Sequence, residues 1–177
     1  MLTQYFKPHN LADIKKIDNQ AVLLVLEYPA NNAPDHRVES AIWLWKDGME
    51  ARVYYTALGA TICKGSERKE ELYRLLNFIN ARLLLRAADA FGNRLYKPHM
   101  LYTPRFYMTE DDAFDITMTT IIDYDFYELA PLETADYISI FCPELLNALS
   151  MPIFWVLLGN TSAKESIDYI KRTLLNE

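Results

Sequence analysis

The stretch SAIWLWKDGMEARVYYTAL, residues 40–58, decides the fold. Its two halves, Ser40 to Trp45 and Glu50 to Leu58, are rich in aromatic and β-branched residues, which favour strands. Between them, Asp47-Gly48 tolerates the positive φ angles of a type I′ turn, whose twist matches that of paired strands. The stretch therefore predicts an antiparallel hairpin closed by a type I′ turn.

Upstream of this hairpin, the sequence predicts a short helix and one further strand. Asn10 is a good helix N-cap, and Leu11, Ile14 and Ile17 are spaced for one face of a helix. The continuous apolar run from Ala21 to Tyr28 predicts a strand. Together with the hairpin, this strand makes a three-stranded meander.

Downstream, a helix, a second hairpin and a group of helices are predicted. An apolar stripe of helical spacing predicts a helix from Ser66 to about Leu85. Met100 to Met108 and Phe114 to Phe126 predict a second hairpin, whose last strand alternates between apolar and polar residues and therefore has one solvated face. The remaining segments predict helices from Leu132 to Ser150, kinked or split at Pro143, over Ile153 to Leu158, and after a capping box of Ser162 and Glu165.

The predicted fold class is α+β, with an antiparallel sheet (a three-stranded meander plus a hairpin) and helices packed on one face. The length of 177 residues, with no long linker, predicts a single domain over residues 1–177. Cys63 and Cys142 lack C-x-x-C spacing, which indicates a reducing compartment. A disulfide between these two cysteines stays open at this point.

Composition and charge exclude several classes of function. The net charge of −6, without a basic stripe interleaved with aromatic residues, argues against nucleic-acid binding. The N-terminal residues lack the apolar core of a signal peptide. The longest apolar run, Ile153 to Leu158, is far shorter than the roughly 20 residues of a membrane span. We therefore expect a cytoplasmic protein without a membrane partner.

The residues that commonly bind metals are not arranged for it. His9, His36 and His99 lie in or beside predicted loops, and no pair has the spacing of a metal site. The acidic stretch Glu110 to Asp112 suits a solvated hairpin turn, because aspartate bonds to the local backbone in turns. The sequence therefore predicts neither a metal nor another cofactor.

The residues that commonly carry catalysis also have structural explanations. Acid–base catalysis requires a buried or closely paired carboxyl, whereas Asp123 and Asp125 fall on the solvated side of a strand, with Glu128 nearby. Cys63 precedes a predicted helix start, where a thiol pKa can be lowered, but we predict a structural cysteine at a strand end, and a reactive thiol is the minor alternative. We predict that the protein is not an enzyme; a hydrolase using the three carboxylates is the minor alternative.

The early strands are apolar on both faces, because Trp43 and Trp45 oppose Ile42 and Leu44. Helices cover only one face of such a sheet, so another body must cover the second. That body is either the chain itself, through Tyr5 to Ile17 or the loop around Pro34, or a second subunit or partner protein. The candidate partner-binding residues are Leu24, Leu26, Ile42, Trp43, Leu44 and Trp45.

Two stretches resemble the YbjN-like family, which shares the fold of type III secretion chaperones. One is EELYRLLNFIN, residues 70–80, after the strand meander; the other is the hairpin from Arg105 to Asp125, followed by helices and by GNTSAKESI, residues 159–167. The resemblance implies a small, acidic, cytoplasmic bacterial protein without enzymatic activity. Its chaperone relatives are homodimers that hold partner segments against their sheets.

The sequence thus predicts a non-enzymatic protein-interaction module, chaperone-like or regulatory, that forms a homodimer or binds a protein partner. The alternative is a small-molecule binding protein with an aromatic-lined pocket. The aromatic residues available for such a pocket are Trp43, Trp45, Tyr54, Tyr55, Tyr102 and Tyr107.

Overall fold

A six-stranded antiparallel sheet forms one layer of the protein, and helices form the other. The computed structural model describes residues 11–16, 22–83 and 104–177, with side chains over 25–82 and 104–177. Predictions that fall on other residues, including His9, His99 and Tyr102, lie outside the described residues. The two layers confirm the predicted α+β class.

The strands follow the order β1-β2-β3-β4-β6-β5 across the sheet. Each runs antiparallel to its neighbours, and the second hairpin joins the meander through β6. Among the strands that the structure describes, β1 and β5 are therefore the edges of the sheet. The strands are β1 (Leu11–Lys16), β2 (Val22–Pro29), β3 (Arg37–Leu44), β4 (Gly48–Tyr55), β5 (Arg105–Met108) and β6 (Ile116–Asp123).

Strand β1 replaces the short helix that the sequence predicts at this position, so that prediction is wrong. Residues 11–16 pair with β2 instead, with a register shift between Leu11 and Asp13. A helix of so few residues is not stable by itself, because nucleation is costly and few backbone bonds follow it. Pairing with the free edge of β2 satisfies the backbone groups of the same segment.

The first hairpin is confirmed, but its turn is not type I′. Residues 37–44 and 48–55 pair, and the Trp45 N–H donates to the Gly48 carbonyl at 2.9 Å. Among the described residues, positive φ angles occur at His36, Phe114, Gly159 and Asn176, and not at Asp47 or Gly48. Gly48 is needed for space instead, because a Cβ there would lie 2.8 Å from the Ile122 carbonyl oxygen of the neighbouring strand.

Five helices are described, and two of them include π-helical segments. They are α1 (Ala57–Gly65), α2 (Lys69–Phe78, extended by the π-helical residues Ile79–Leu83), α3 (Tyr124–Leu129), α4 (Pro131–Leu157, with π-helical residues Tyr137–Phe141) and α5 (Ala163–Leu174). The predicted stripe corresponds to α2, and the predicted capping box of Ser162 and Glu165 begins α5. The sequence pattern predicts a strand as far as Leu58, but β4 ends at Tyr55. The next residues, from Ala57, form helix α1, which the sequence does not predict.

Helix α4 runs without interruption through Pro143 and Pro152, so the prediction of separate helices here is wrong. The π-helical turn precedes Pro143, and there the Cys142 N–H donates five residues back, to the Tyr137 carbonyl. This shift in hydrogen-bond register accommodates the N–H that Pro143 lacks. By length and composition α4 also matches a membrane-spanning helix, but most of its apolar stretch is buried inside the protein, as expected of a core helix.

The two faces of the sheet differ in their surroundings. The core face carries the buried residues of β4, including Ala51, Val53 and Tyr55, and the helices pack against it. The hydroxyl of Tyr55, for example, donates to the Leu146 carbonyl of α4 at 2.7 Å. In the described part of the chain, no helix packs on the opposite face, which we call the open face. Its residues include Val25, Ala41, Trp43, Arg52, Tyr54, Tyr107, Thr119 and Ile121.

Candidate functional site

The six predicted partner-binding residues divide between the two faces of the sheet. Leu26 and Ile42 are completely buried on the core face, and Leu44 packs against the same core. Leu24 pairs in register with Ile42. We therefore correct the prediction that Leu26 and Ile42 contact a partner, because the helices already bury both side chains.

The two tryptophans of the predicted set lie elsewhere. Trp43 lies on the open face and is half-buried. Trp45 follows the end of β3 and is 47% exposed. The alternation along β3 separates the two apolar sets correctly, but a strand that is apolar on both sides does not indicate which set the helices cover.

A groove of about 260 Å³ crosses the open face between the meander and the turn of the second hairpin. Its floor is formed by two small residues, Ala41 and Thr117, whose exposed fractions are 5% and 2%. Larger side chains stand around this floor. They are Val25, Trp43, Arg52 and Tyr54 from the strands and Thr109, Asp111 and Asp115 from the turn.

Arg52 is held in place on one side of the groove. Its Nε donates to a Glu50 carboxylate oxygen at 2.7 Å, and its guanidinium lies 4.7 Å from the centre of the Trp43 ring. Burial by itself would lower the pKa of Arg52, but the bond to Glu50 and its negative charge raise that pKa. The one strand-borne cation lining the groove is therefore already engaged by an anion and an aromatic ring.

The other side of the groove is acidic. Burial raises the pKa of Asp115, and the nearby carboxylates of Asp111 and Glu39 raise it further. Burial also raises the pKa of the Tyr54 phenol, again assisted by Glu39 and Asp115. Burial is the main cause of both shifts, and the neighbouring carboxylates add to it, which places negative charge close to Tyr54.

The raised pKa of Asp115 leads to a prediction about stability. Because its pKa is higher in the folded than in the unfolded protein, ionisation of Asp115 opposes folding, and stability falls as pH rises from the ordinary aspartate range through the raised value. Asp115→Asn should therefore raise the free energy of unfolding at pH 7 and make no difference at pH 3. Urea unfolding at both pH values measures this. Asp136→Asn, an exposed aspartate of α4, is the control, and an equal gain there would contradict the explanation.

The carboxylates considered for catalysis lie together on the surface at the start of α3. Asp123 is the N-cap of this helix, and its Oδ1 accepts the Asp125 N–H at 2.7 Å. Asp123, Asp125 and Glu128 are all exposed. The position of Asp123 is therefore explained by helix capping.

The two cysteines are free thiols buried in the core. Cys63 lies in the last turns of α1, with Sγ 3.0 Å from the Met108 sulfur, and burial raises its pKa to about 11. Burial raises the pKa of Cys142 as well. The possibility of a lowered thiol pKa at Cys63 is therefore wrong, because the thiol is desolvated inside a helix and does not lie at a helix N-terminus.

The histidine that the structure describes bonds locally. The His36 Nδ1 lies 3.0 Å from the Asn31 carbonyl oxygen in the loop between β2 and β3. Over residues 25–82 and 104–177, no three His, Cys, Asp or Glu side chains are grouped to hold a metal ion.

The aromatic residues considered for a small-molecule pocket do not converge. Tyr54 and Tyr107 lie on the open face with Trp43, whereas Tyr55 is fully buried on the core face. Within this set, only Trp43 and Tyr54 line the groove. The acidic side of the groove was not predicted, since Glu39 and Asp115 are distant in sequence and meet only through the β3-β4-β6 pairing.

No known family model matches the chain, and comparisons with curated proteins and with solved structures find no significant match. The YbjN-like resemblance therefore stays a prediction. The function must be argued from the open face itself.

Proposed function

We propose that the protein is a non-enzymatic protein-interaction module, and that its open face binds a segment of a partner protein. The observation that carries this proposal is the groove on the open face, which has aromatic walls although no helix in the described part of the chain packs over it. Half-buried aromatic residues beside a polar rim are typical of protein interfaces.

The surroundings of the groove favour a polypeptide over a small molecule. The volume of about 260 Å³ is below the roughly 300–1,000 Å³ typical of ligand pockets, and the groove is open along the sheet. Beside it, a second depression of about 240 Å³ is lined by Arg105, Tyr107, Thr119 and Ile121. Ile121, with 73% of its surface exposed, offers apolar contact area there. Two neighbouring shallow depressions suit a segment with several side chains.

The resemblance to the YbjN-like family supports the same proposal. It implies a cytoplasmic bacterial protein that acts by holding partner segments against its sheet, and it adds a homodimer as the oligomeric state. We include the family, the location and the homodimer in the proposal. The aromatic-pocket alternative has Trp43 and Tyr54 in its favour, but its remaining described members do not line the groove.

Site-specific photocrosslinking in living cells tests which surface binds. Ile121→p-benzoylphenylalanine places the reactive group on the open face, and Leu158→p-benzoylphenylalanine places it at the end of α4, on an aliphatic residue that is also well exposed (59%). We expect a discrete protein adduct from position 121 and none from position 158. The adduct should disappear when Trp43→Ser is added, provided that this variant keeps the urea midpoint of the parent.

Three results would contradict the proposal. The first is an adduct from position 158 only, which would move the interface to the helix layer. The second is a link from position 121 to another part of the same chain, which would mean that the protein covers its own open face. The third is an adduct that persists in the Trp43→Ser background.

A further inference from the structure

The groove on the open face has the chemistry of a socket for one basic side chain, and we propose that the partner segment inserts a lysine or arginine into it. This inference rests on the proposed function and adds the chemical class of the partner. It concerns the side of the groove formed by Tyr54 and the hairpin turn, next to Glu39, which pairs with Tyr54 on the neighbouring strand.

The shape of the groove provides room for a long, thin side chain. The sheet register places Ala41 directly between Val25 and Arg52, and places Thr117 directly between Tyr54 and Tyr107. Small residues therefore alternate with large ones, and the resulting floor is walled by aromatic rings. Lysine and arginine bury their methylene stems on such surfaces while the charged head stays at a polar end.

The negative charge around the groove is complementary to a basic side chain. Four carboxylates, those of Glu39, Glu50, Asp111 and Asp115, act on the groove residues, against the single guanidinium of Arg52. Arg52 bonds to Glu50, and its charge also acts on Asp111. The negative charge left for a ligand is therefore that of Asp115 and of Glu39, which is hydrogen-bonded to Tyr54. No ion pair joins Asp115 to a cation among residues 25–82 and 104–177.

Asp115 is positioned firmly enough to act as an anchor. Its backbone N–H donates to the Thr109 hydroxyl at 2.9 Å, and its carbonyl accepts the Thr109 N–H at 2.8 Å. The Asp111 Oδ1 accepts the Ala113 N–H at 3.1 Å, which orders the same turn. The turn is thus ordered by its own bonds, and a ligand would not have to organise it.

The neighbouring depression restricts which residues can flank the basic side chain in the partner segment. Arg105 lines that depression and is exposed. Its positive charge disfavours a second basic residue on that side, and it favours a neutral or acidic one. The socket therefore selects a single basic residue in a mixed segment and does not select a polycationic tail.

An NMR titration of the ¹⁵N-labelled full chain tests the inference with defined probes. The probe is an eight-residue peptide of serine and threonine with one central lysine, and its comparison is the same peptide with the lysine acetylated. The lysine peptide should shift the amides of Ala41, Tyr54 and Thr117, more weakly at 300 mM than at 50 mM salt, and the acetylated peptide should not. Asp115→Asn should weaken binding about three- to five-fold, as expected for one partly screened ion pair. The control, Asp136→Asn, should bind like the parent.

The remaining outcomes separate the partner classes. If spermidine shifts the same amides more strongly than the peptide does, a free polyamine is the ligand and the assignment to a protein segment is overturned. If the acetylated peptide binds as well as the lysine peptide, the charge argument is overturned. If no peptide binds while position 121 still forms its Trp43-dependent adduct, the basic-side-chain inference fails and the proposed function stands.

Discussion

Replacement of Tyr55 by alanine is expected to lower the free energy of unfolding by about 3–5 kcal/mol, the range for removing a large aromatic side chain from a core. Tyr55 is 1% exposed and joins the end of β4 to α4. Its ring lies edge-on to Phe154, with ring centres 4.9 Å apart, and its Cβ lies 2.6 Å from where a Cβ on Gly59 would be. Gly59, which lies directly against Tyr55, has no side chain to fill the space that alanine would leave.

Two further variants divide this loss into its parts. Tyr55→Phe should cost only about 1 kcal/mol, because the Leu146 carbonyl keeps its second hydrogen bond, from the Ser150 hydroxyl at 2.8 Å. Tyr54→Ala is the matched control, since it removes the same kind of side chain from the next position, on the open face. We expect it to cost less than half as much as Tyr55→Ala. Urea unfolding with a common m-value measures all three, and equal losses at positions 54 and 55 would contradict the assignment of the two faces.

Asn80→Leu is expected to have the second-largest effect, a loss of about 1–2 kcal/mol together with self-association. Asn80 lies in the π-helical extension of α2 and bonds twice to the edge strand β5. Its Nδ2 donates to the Phe106 carbonyl at 2.9 Å, and its Oδ1 accepts the Phe106 N–H at 2.8 Å. The amide thus takes the place of a neighbouring strand at this residue. Without it, the edge of β5 presents an unpaired donor and acceptor to other chains.

Matched variants make the Asn80 prediction specific. Asn80→Asp keeps the acceptor for the Phe106 N–H but loses the donor, so its stability should fall between those of the parent and Asn80→Leu. Asn77→Leu adds the same side chain at an exposed position of α2 that, within residues 25–82 and 104–177, makes no hydrogen bond to β5. Analytical ultracentrifugation over a range of concentrations measures the association. If Asn77→Leu associates as strongly as Asn80→Leu, the association comes from any added hydrophobic side chain. That result would contradict the prediction that Asn80 protects the edge of β5.

The sequence predicts those parts of the fold whose signals are local. The first hairpin, the stripe of α2 and the capping box of α5 each depend on residues close together in the chain, and each is confirmed. Strand β1 and the continuous helix α4 depend on distant partners. The edge of β2 decides the conformation of residues 11–16, and burial between sheet and helices holds α4 together through Pro143 and Pro152.

The candidate site was harder to predict than the fold, for a related reason. Alternation along β3 places Trp43 and Ile42 on opposite faces, but both are hydrophobic, so the pattern has no information about which one the helices cover. The acidic side of the groove depends on Glu39, Tyr54 and Asp115, which come from three segments. Such a cluster can be recognised only once the order of the strands is known.

The pairing of β4 with β6 has a consequence for biosynthesis. Gly48 pairs with Asp123 and Tyr54 with Thr117, so the inner strand β4 receives its second neighbour only after the ribosome has added the residues in between. At about 5–20 residues per second, that interval lasts roughly 4–15 s. Throughout it, the nascent meander exposes an unpaired hydrophobic strand in the crowded cell, and a chaperone that shields such strands would determine how much of the newly made protein reaches its native state.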